Sequence, residues 1–353
     1  MKKNRLKILA NICLIAICFA LFALLFISLI GGYKLDALRI TISVVLGLVI
    51  VFILNSILHE LGHAILGVLS GLELYSIKFL FLEFTKDKGE YKFGFSKSQG
   101  ELGSTILNPN SSKNVAKKYV VSACGGLGAT FALLVFQVLV CLTSSSLVLY
   151  SAFGITFPLT VYFFMINLLP TYESCDGYLV YKYLSGGEDK KIIENYFKAT
   201  ALLFEGVEPS DLDSTLLVNY KGVSGYSANI RYLRYLAYVK NDEERALKEL
   251  REISDLSEIT NLNDEIFEEI FFSAVLMDDK KFIKAHEPSV TAVFENSSRP
   301  QTYRIHACYR IYNGEKEWAK LILESGIKFC EDYPVKGIAK SERKYMEILL
   351  KNL

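Results

Sequence analysis

Two of the chain's four histidines stand four residues apart in the run His59-Glu60-Leu61-Gly62-His63. On a helix that spacing puts both imidazoles on one face, with Glu60 beside them. Two imidazoles converging on one side can grip a zinc ion, and a carboxylate between them is placed to take a proton from water at the metal. The surroundings sharpen the reading. Between Leu38 and Leu69 nearly every residue is apolar except Arg39, Thr41, Ser43, Asn55, Ser56 and this cluster. Ionisable groups at membrane depth are costly and are kept for function. The bland alternative is a span that ends near Leu58 and leaves the histidines at an interface. The apolar continuation from Ala64 to Leu69 argues against that exit.

A catalytic zinc takes three protein ligands and keeps a fourth position for water. The other histidines, His286 and His306, lie in the polar half of the chain and read as surface or packing residues. The third ligand is therefore sought in another polar stretch at membrane depth, from Asn167 to Gly177. Pro170 breaks the helix there, and the released backbone must be buried or line a polar cavity. Glu173, Cys175 and Asp176 are the candidates, and Asp176-Gly177 presents its carboxylate on a permissive turn. A helix-ending turn with no ligand is the alternative.

These residues need helices to carry them. The chain of 353 residues splits into an apolar half and a half dense in Lys, Glu, Asp and aromatic residues. Four apolar segments reach the roughly 20 residues a membrane-crossing helix needs. They run from about Ile8 to Ile30, from Leu38 through the His59 stretch, from Val120 to Leu142 and from Leu147 to Leu169. A cleaved signal peptide is the alternative for the first, but that run is long and ends without a small-x-small cleavage site. Basic residues concentrate before the first segment and between the second and third, from Lys78 through Lys88 and Lys97 to Lys118. The Gly31–Arg39 connection carries only Lys34 and Arg39, so both termini and the middle segment are expected in the cytoplasm. A net charge of +1 gives no case for nucleic acid. Seven cysteines without a CxxC pair imply no disulfide framework.

An HExxH on one span, with Asn-x-x-Pro and then Asp-Gly on a later one, resembles the site-2 protease family of intramembrane zinc metalloproteases. The resemblance covers about residues 36–180. It implies a core of three transmembrane helices, zinc held by His59, His63 and Asp176, Glu60 as general base, and Asn167 as a substrate-holding residue. Cys124-Gly125-Gly126-Leu127-Gly128 is a weak counterpart of the family's glycine-rich patch, and close helix contact explains it equally well. Two departures stand out. Cys175 replaces the usual Leu before Asp-Gly, and the interval from Asn167 to Asp176 is one residue longer than the common form. No stretch between the spans is large enough for a PDZ domain.

Between the second and third spans, Tyr75–Phe84 and Glu90–Phe95 read as the strands of a β-hairpin joined at Lys86–Gly89. A substrate helix must unwind before it can be cut, and an exposed strand edge could pair with the unwound stretch. A hairpin that only packs on the membrane face is the alternative. From Gly186 onward the pattern is helical, with breaks near Glu208, Asn261, Asn296 and Tyr333. Ala237, Ala274 and Ala307 are spaced by 37 and 33 residues, near the period of tetratricopeptide-type hairpins, which this part resembles. An irregular bundle is the alternative, and a docking surface for a protein partner is the expected use.

The expectation is thus an all-α polytopic membrane protein with four transmembrane helices, a small cytoplasmic β-hairpin and a C-terminal helical domain. Its parts would be an N-terminal helix and loop (1–35), a metalloprotease core (36–185) and a cytoplasmic helical domain (186–353). Its expected activity is hydrolysis of a peptide bond in or beside the transmembrane segment of a membrane-anchored protein or leader peptide. Two alternatives remain: a non-catalytic membrane scaffold with structural zinc, and a membrane-anchored zinc protease acting on cytoplasmic polypeptides.

Overall fold

In the computed structural model the described residues are 2–32, 37–87, 89–95, 103–220, 224–239, 242–254, 263–296 and 299–353. Lys34, Lys88, Lys97 and the helix breaks at Asn261 and Ser297–Ser298 lie outside them. The chain is mainly helical with one small antiparallel sheet. Contacts divide it into two compact units, residues 1–108 with 117–186, and residues 109–116 with 187–353.

The first unit holds α1 (Lys2–Gly32), α2 (Ala37–Leu69), α3 (Val115–Thr143), α4 (Phe157–Leu168) and α5 (Asp176–Ser185). Among the described residues, four helical segments are long and apolar enough to cross a membrane: Ala10–Ile27, Ile40–Leu69, Val115–Thr143 and Tyr150–Leu168. α2 is unbroken over 33 residues, about 50 Å at the usual rise, so His59 and His63 lie within it and not at its end. Its inward side packs Ile40 and Val44 with Ile155, while Leu38, Ile42, Val45, Leu46, Val49 and Ile50 are exposed. α2 and α3 meet backbone to backbone at Gly62 and Gly125, where a Cβ on either would come within 2.2 Å of the other's carbonyl oxygen. Phe52 and Phe131 bring α2 and α3 against Phe163 and Phe164 of α4.

The fourth apolar segment is not the uniform helix its composition suggests. It opens as a π-helical turn, Tyr150–Gly154, closed by Ile155 N donating to Tyr150 O at 3.0 Å. Pro158 then stands in the first turn of α4, where its missing N–H is tolerated. The displaced carbonyls find side chains instead. Thr156 Oγ1 donates to Ala152 O at 2.7 Å and Gln137 Nε2 donates to Phe153 O at 3.1 Å.

The middle segment carries four strands where the sequence suggested two. They are β1 (Leu72–Phe79), β2 (Leu82–Asp87), β3 (Glu90–Phe95) and β4 (Gly103–Pro109), in the order β3-β2-β1-β4. The expected strand Tyr75–Phe84 is folded in two at Leu80-Phe81, so that Phe79 pairs with Leu82 and Ser76 with Thr85. Leu80 takes φ 55°, a left-handed conformation usually signalled by Gly or Asn, so the turn had no marker in the sequence. β3 pairs with β2 from Leu82↔Phe95 to Asp87↔Glu90.

The second unit holds α6 (Gly187–Glu205), α7 (Gly225–Tyr238), α8 (Glu243–Ser254), α9 (Asn263–Leu276), α10 (Lys280–Asn296), α11 (Pro300–Tyr312), α12 (Lys316–Asp332) and α13 (Lys336–Lys351). α7–α8, α9–α10 and α11–α12 are successive helical hairpins, and Ala237, Ala274 and Ala307 are buried in the first helix of each. A buried polar chain links those first helices. Tyr235 OH donates to Glu269 at 2.6 Å, and Arg304 binds Glu269 and Glu342, each at 2.7 Å. Arg304 also lies over the Phe272 ring. His306 stacks on Phe294 and His286 on Phe282, so both are packing residues.

Candidate metal centre

α2 positions His59 and His63 one turn apart, and the end of α4 delivers the third group. Leu169 leaves the helix with ψ 128°, the extended conformation that a residue before Pro170 prefers. The chain then turns through 170–175 and enters α5 at Asp176. The sequence reading of Asp176-Gly177 as a permissive turn is corrected here, because Gly177 is helical. It is glycine for lack of space: a Cβ would sit 1.8 Å from the Leu168 carbonyl oxygen. That contact seats α5 on the last turn of α4 and Asp176 opposite the two histidines.

Three atoms meet there. Asp176 Oδ2 is 3.1 Å from His59 Nε2 and 3.2 Å from His63 Nε2, and the two Nε2 atoms are 3.2 Å apart. Among the described residues this is the one group of three His, Cys, Asp or Glu side chains arranged to hold a metal ion. The rival ligands sit elsewhere. Glu173 accepts a hydrogen bond from Tyr178 OH at 3.2 Å, and Cys175 is buried at the N-cap of α5.

The hydrogen bonds around the cluster indicate what could occupy it. His63 Nδ1 lies 3.0 Å from the Ser122 carbonyl oxygen, which can only accept, so Nδ1 carries the hydrogen and the neutral ring presents a lone pair at Nε2. Asp176 Oδ2 is buried without a hydrogen-bond partner. A buried carboxylate oxygen facing two imidazole nitrogens needs a positive charge between them, a proton or a metal ion, and two nitrogens with one oxygen suit a small divalent metal. The residues present therefore fit a metal ion. No protein-family model matches the chain. No curated protein or solved structure matches it either.

Glu60 faces the same cavity of about 600 Å³, which is also lined by Asn55, Thr130, Phe163, Asn167 and Ser174. Its Oε2 accepts from Thr105 Oγ1 at 2.7 Å, and Gly103 packs so closely that a Cβ there would come 2.8 Å from Glu60 Cγ. Strand β4 therefore both covers and orients this carboxylate. Asn167 reaches the cavity with one amide N–H donated back to Phe163 O at 3.0 Å. Gly126 belongs to the centre as well, since a Cβ would lie 2.3 Å from His63 Nε2. The structure thus brings His59, Glu60, His63, Asn167 and Asp176 around one cavity. Sequence reasoning missed Thr105, Ser122 and Thr130. Thr105 carried no signal, because its strand was not expected. Ser122 acts through its backbone. Thr130 stands one turn after Gly126, a clue visible only once that glycine is placed against a histidine.

Proposed function

We propose that the chain is an intramembrane zinc metalloprotease of the site-2 type, with His59, His63 and Asp176 as zinc ligands and Glu60 as general base. The observation that carries this reading is the buried Asp176 Oδ2 held 3.1–3.2 Å from two imidazole nitrogens, the three atoms facing one point. Ligand bonds of 2.0–2.2 Å in a tetrahedron set ligand atoms about 3.3 Å apart, close to the spacing found. Support for a membrane setting comes from the four apolar helices, whose many exposed Ile, Leu, Val and Phe side chains a bilayer would cover. The excess of basic residues at the N-terminus and in the middle segment favours cytoplasmic termini.

Zinc held there supplies a Lewis acid that acidifies water and polarises a carbonyl. The chain's own residues do the rest. Glu60, with Oε2 engaged by Thr105, takes the proton of the attacking water on Oε1. It then returns a proton to the amide nitrogen as the C–N bond breaks. Asn167 holds the substrate backbone beside the reacting carbonyl. A helical substrate has its backbone hydrogen-bonded to itself, so its span must unwind before a carbonyl can reach the centre. β4 is the sheet edge at the metal, with Gly103 and Ser104 on the cavity wall. β4 is thus the strand on which an unwound substrate would pair, whereas Tyr75–Phe79 is interior. The substrate class is a membrane-anchored protein or leader peptide, and the helical second unit is the natural docking surface for a partner protein.

The test is cleavage of a co-expressed single-span substrate. Glu60→Gln and His59→Ala are each expected to lower cleavage by at least about 100-fold while the protein stays in the membrane. Cleavage that persists in either variant refutes the assignment. A cut outside the apolar segment would favour a protease of cytoplasmic polypeptides. Stoichiometric zinc in a chain whose Glu60→Gln variant changes nothing would favour the scaffold.

A further inference from the structure

α3 supplies no ligand, yet both imidazoles rest on it. Ser122, Gly126 and Thr130 follow at four-residue intervals and form one stripe of that helix. The Ser122 carbonyl receives His63 Nδ1–H, and its hydroxyl donates back to His63 O at 3.0 Å. Gly126 leaves room for the His63 ring. Thr130 Oγ1 lies 3.0 Å from His59 Nδ1 and 3.1 Å from the Gly126 carbonyl oxygen.

A hydroxyl has one hydrogen to give. The Gly126 carbonyl can only accept, and with Thr130 donating to it the same hydroxyl is an acceptor for His59 Nδ1–H. His59 then keeps its Nε2 lone pair toward Asp176 and His63. Thr130 is 2 % exposed, and its hydroxyl touches the ring directly. We propose that Thr130 is the positioning residue that fixes His59 in its Nδ1–H tautomer and so keeps the centre open to a metal. The inference rests on the metal-site reading above. Without that acceptor, the ring gains by moving its hydrogen to Nε2 and donating it to Asp176 Oδ2, 3.1 Å away. That bond would close the site against the ion it is built to hold.

The experiment titrates zinc into the purified full chain against a chromophoric chelator, for wild type, Thr130→Val and Thr130→Ser. Thr130→Val is expected to bind zinc about 10- to 100-fold more weakly, and Thr130→Ser within about threefold of wild type. Nitrogen-15 spectra of histidine-labelled, metal-free protein at alkaline pH read the tautomer directly, with only four histidines to assign. His59 is expected as Nδ1–H in wild type. A metal-free wild type with His59 protonated on Nε2 overturns the inference whether or not the Val variant folds. So does a Thr130→Val chain that binds zinc as tightly as wild type. A wild type that binds no zinc would instead overturn the metal-site reading itself.

Discussion

The imidazole of His63 leaves no space for a β-carbon on the helix that faces it. Its ring is tied to the Ser122 carbonyl, so it cannot swing aside without losing that bond. Gly126→Ala is therefore expected to weaken zinc binding by at least about 10-fold, measured by chelator competition. Thr105 holds Glu60, the proposed base, and donates its hydroxyl to none of the three proposed ligands. Thr105→Val should leave zinc content unchanged and lower kcat on a single-span substrate by roughly 10- to 100-fold, with Thr105→Ser restoring most of it. Loss of zinc in Thr105→Val would mean that β4 holds the whole centre together instead of aiming Glu60. At this scale the sequence was informative about ionisable residues, because HExxH and Asp-Gly carry their spacing openly. It was silent about hydroxyls and carbonyls, whose partners are set by how α2 and α3 cross.

At the scale of elements, β4 is the strand whose loss should be felt in catalysis. Proline at alternate positions from Ser104 to Leu107 should cut cleavage at the positions whose N–H faces the substrate and leave zinc content intact. The same substitutions in β1 should disrupt the sheet instead, because β1 lies between β2 and β4. Uniform insensitivity along β4 would remove strand pairing from the account. The long helices were readable from composition, since runs such as Leu38–Leu69 have few polar interruptions. The turn at Leu80-Phe81 and the strand at Gly103–Pro109 were not. The first uses a leucine at positive φ, and the second is a short segment whose place is fixed by Tyr119 OH donating to Leu107 O and by the Glu60 contact. The π turn at Tyr150–Gly154 carried no marker in the sequence, whereas Pro158 suits the start of the helix that follows it.

At the scale of the whole molecule, the second unit is held together by groups that dislike being buried. Arg304→Met would strand Glu269 and Glu342 without their cation and should cost about 3–5 kcal/mol, followed in urea by the chain's single tryptophan, Trp318 of α12. Replacing all three by apolar residues should recover most of that loss. His306 adds a pH dependence. Burial, aided by Arg310, pushes its pKa down to about 4 from 6.5. Its contribution is fully present above about pH 6.5 and is lost as pH falls toward 4, by at most about 3 kcal/mol. His306→Gln should flatten that slope in thermal unfolding between those pH values. The carboxylate that α5 carries to the paired histidines of α2 completes the proposed centre, and zinc content reads it most directly. Purified wild type should carry stoichiometric zinc and Asp176→Ala little or none; a metal-free wild type, or an Asp176→Ala chain that keeps its zinc, would contradict it.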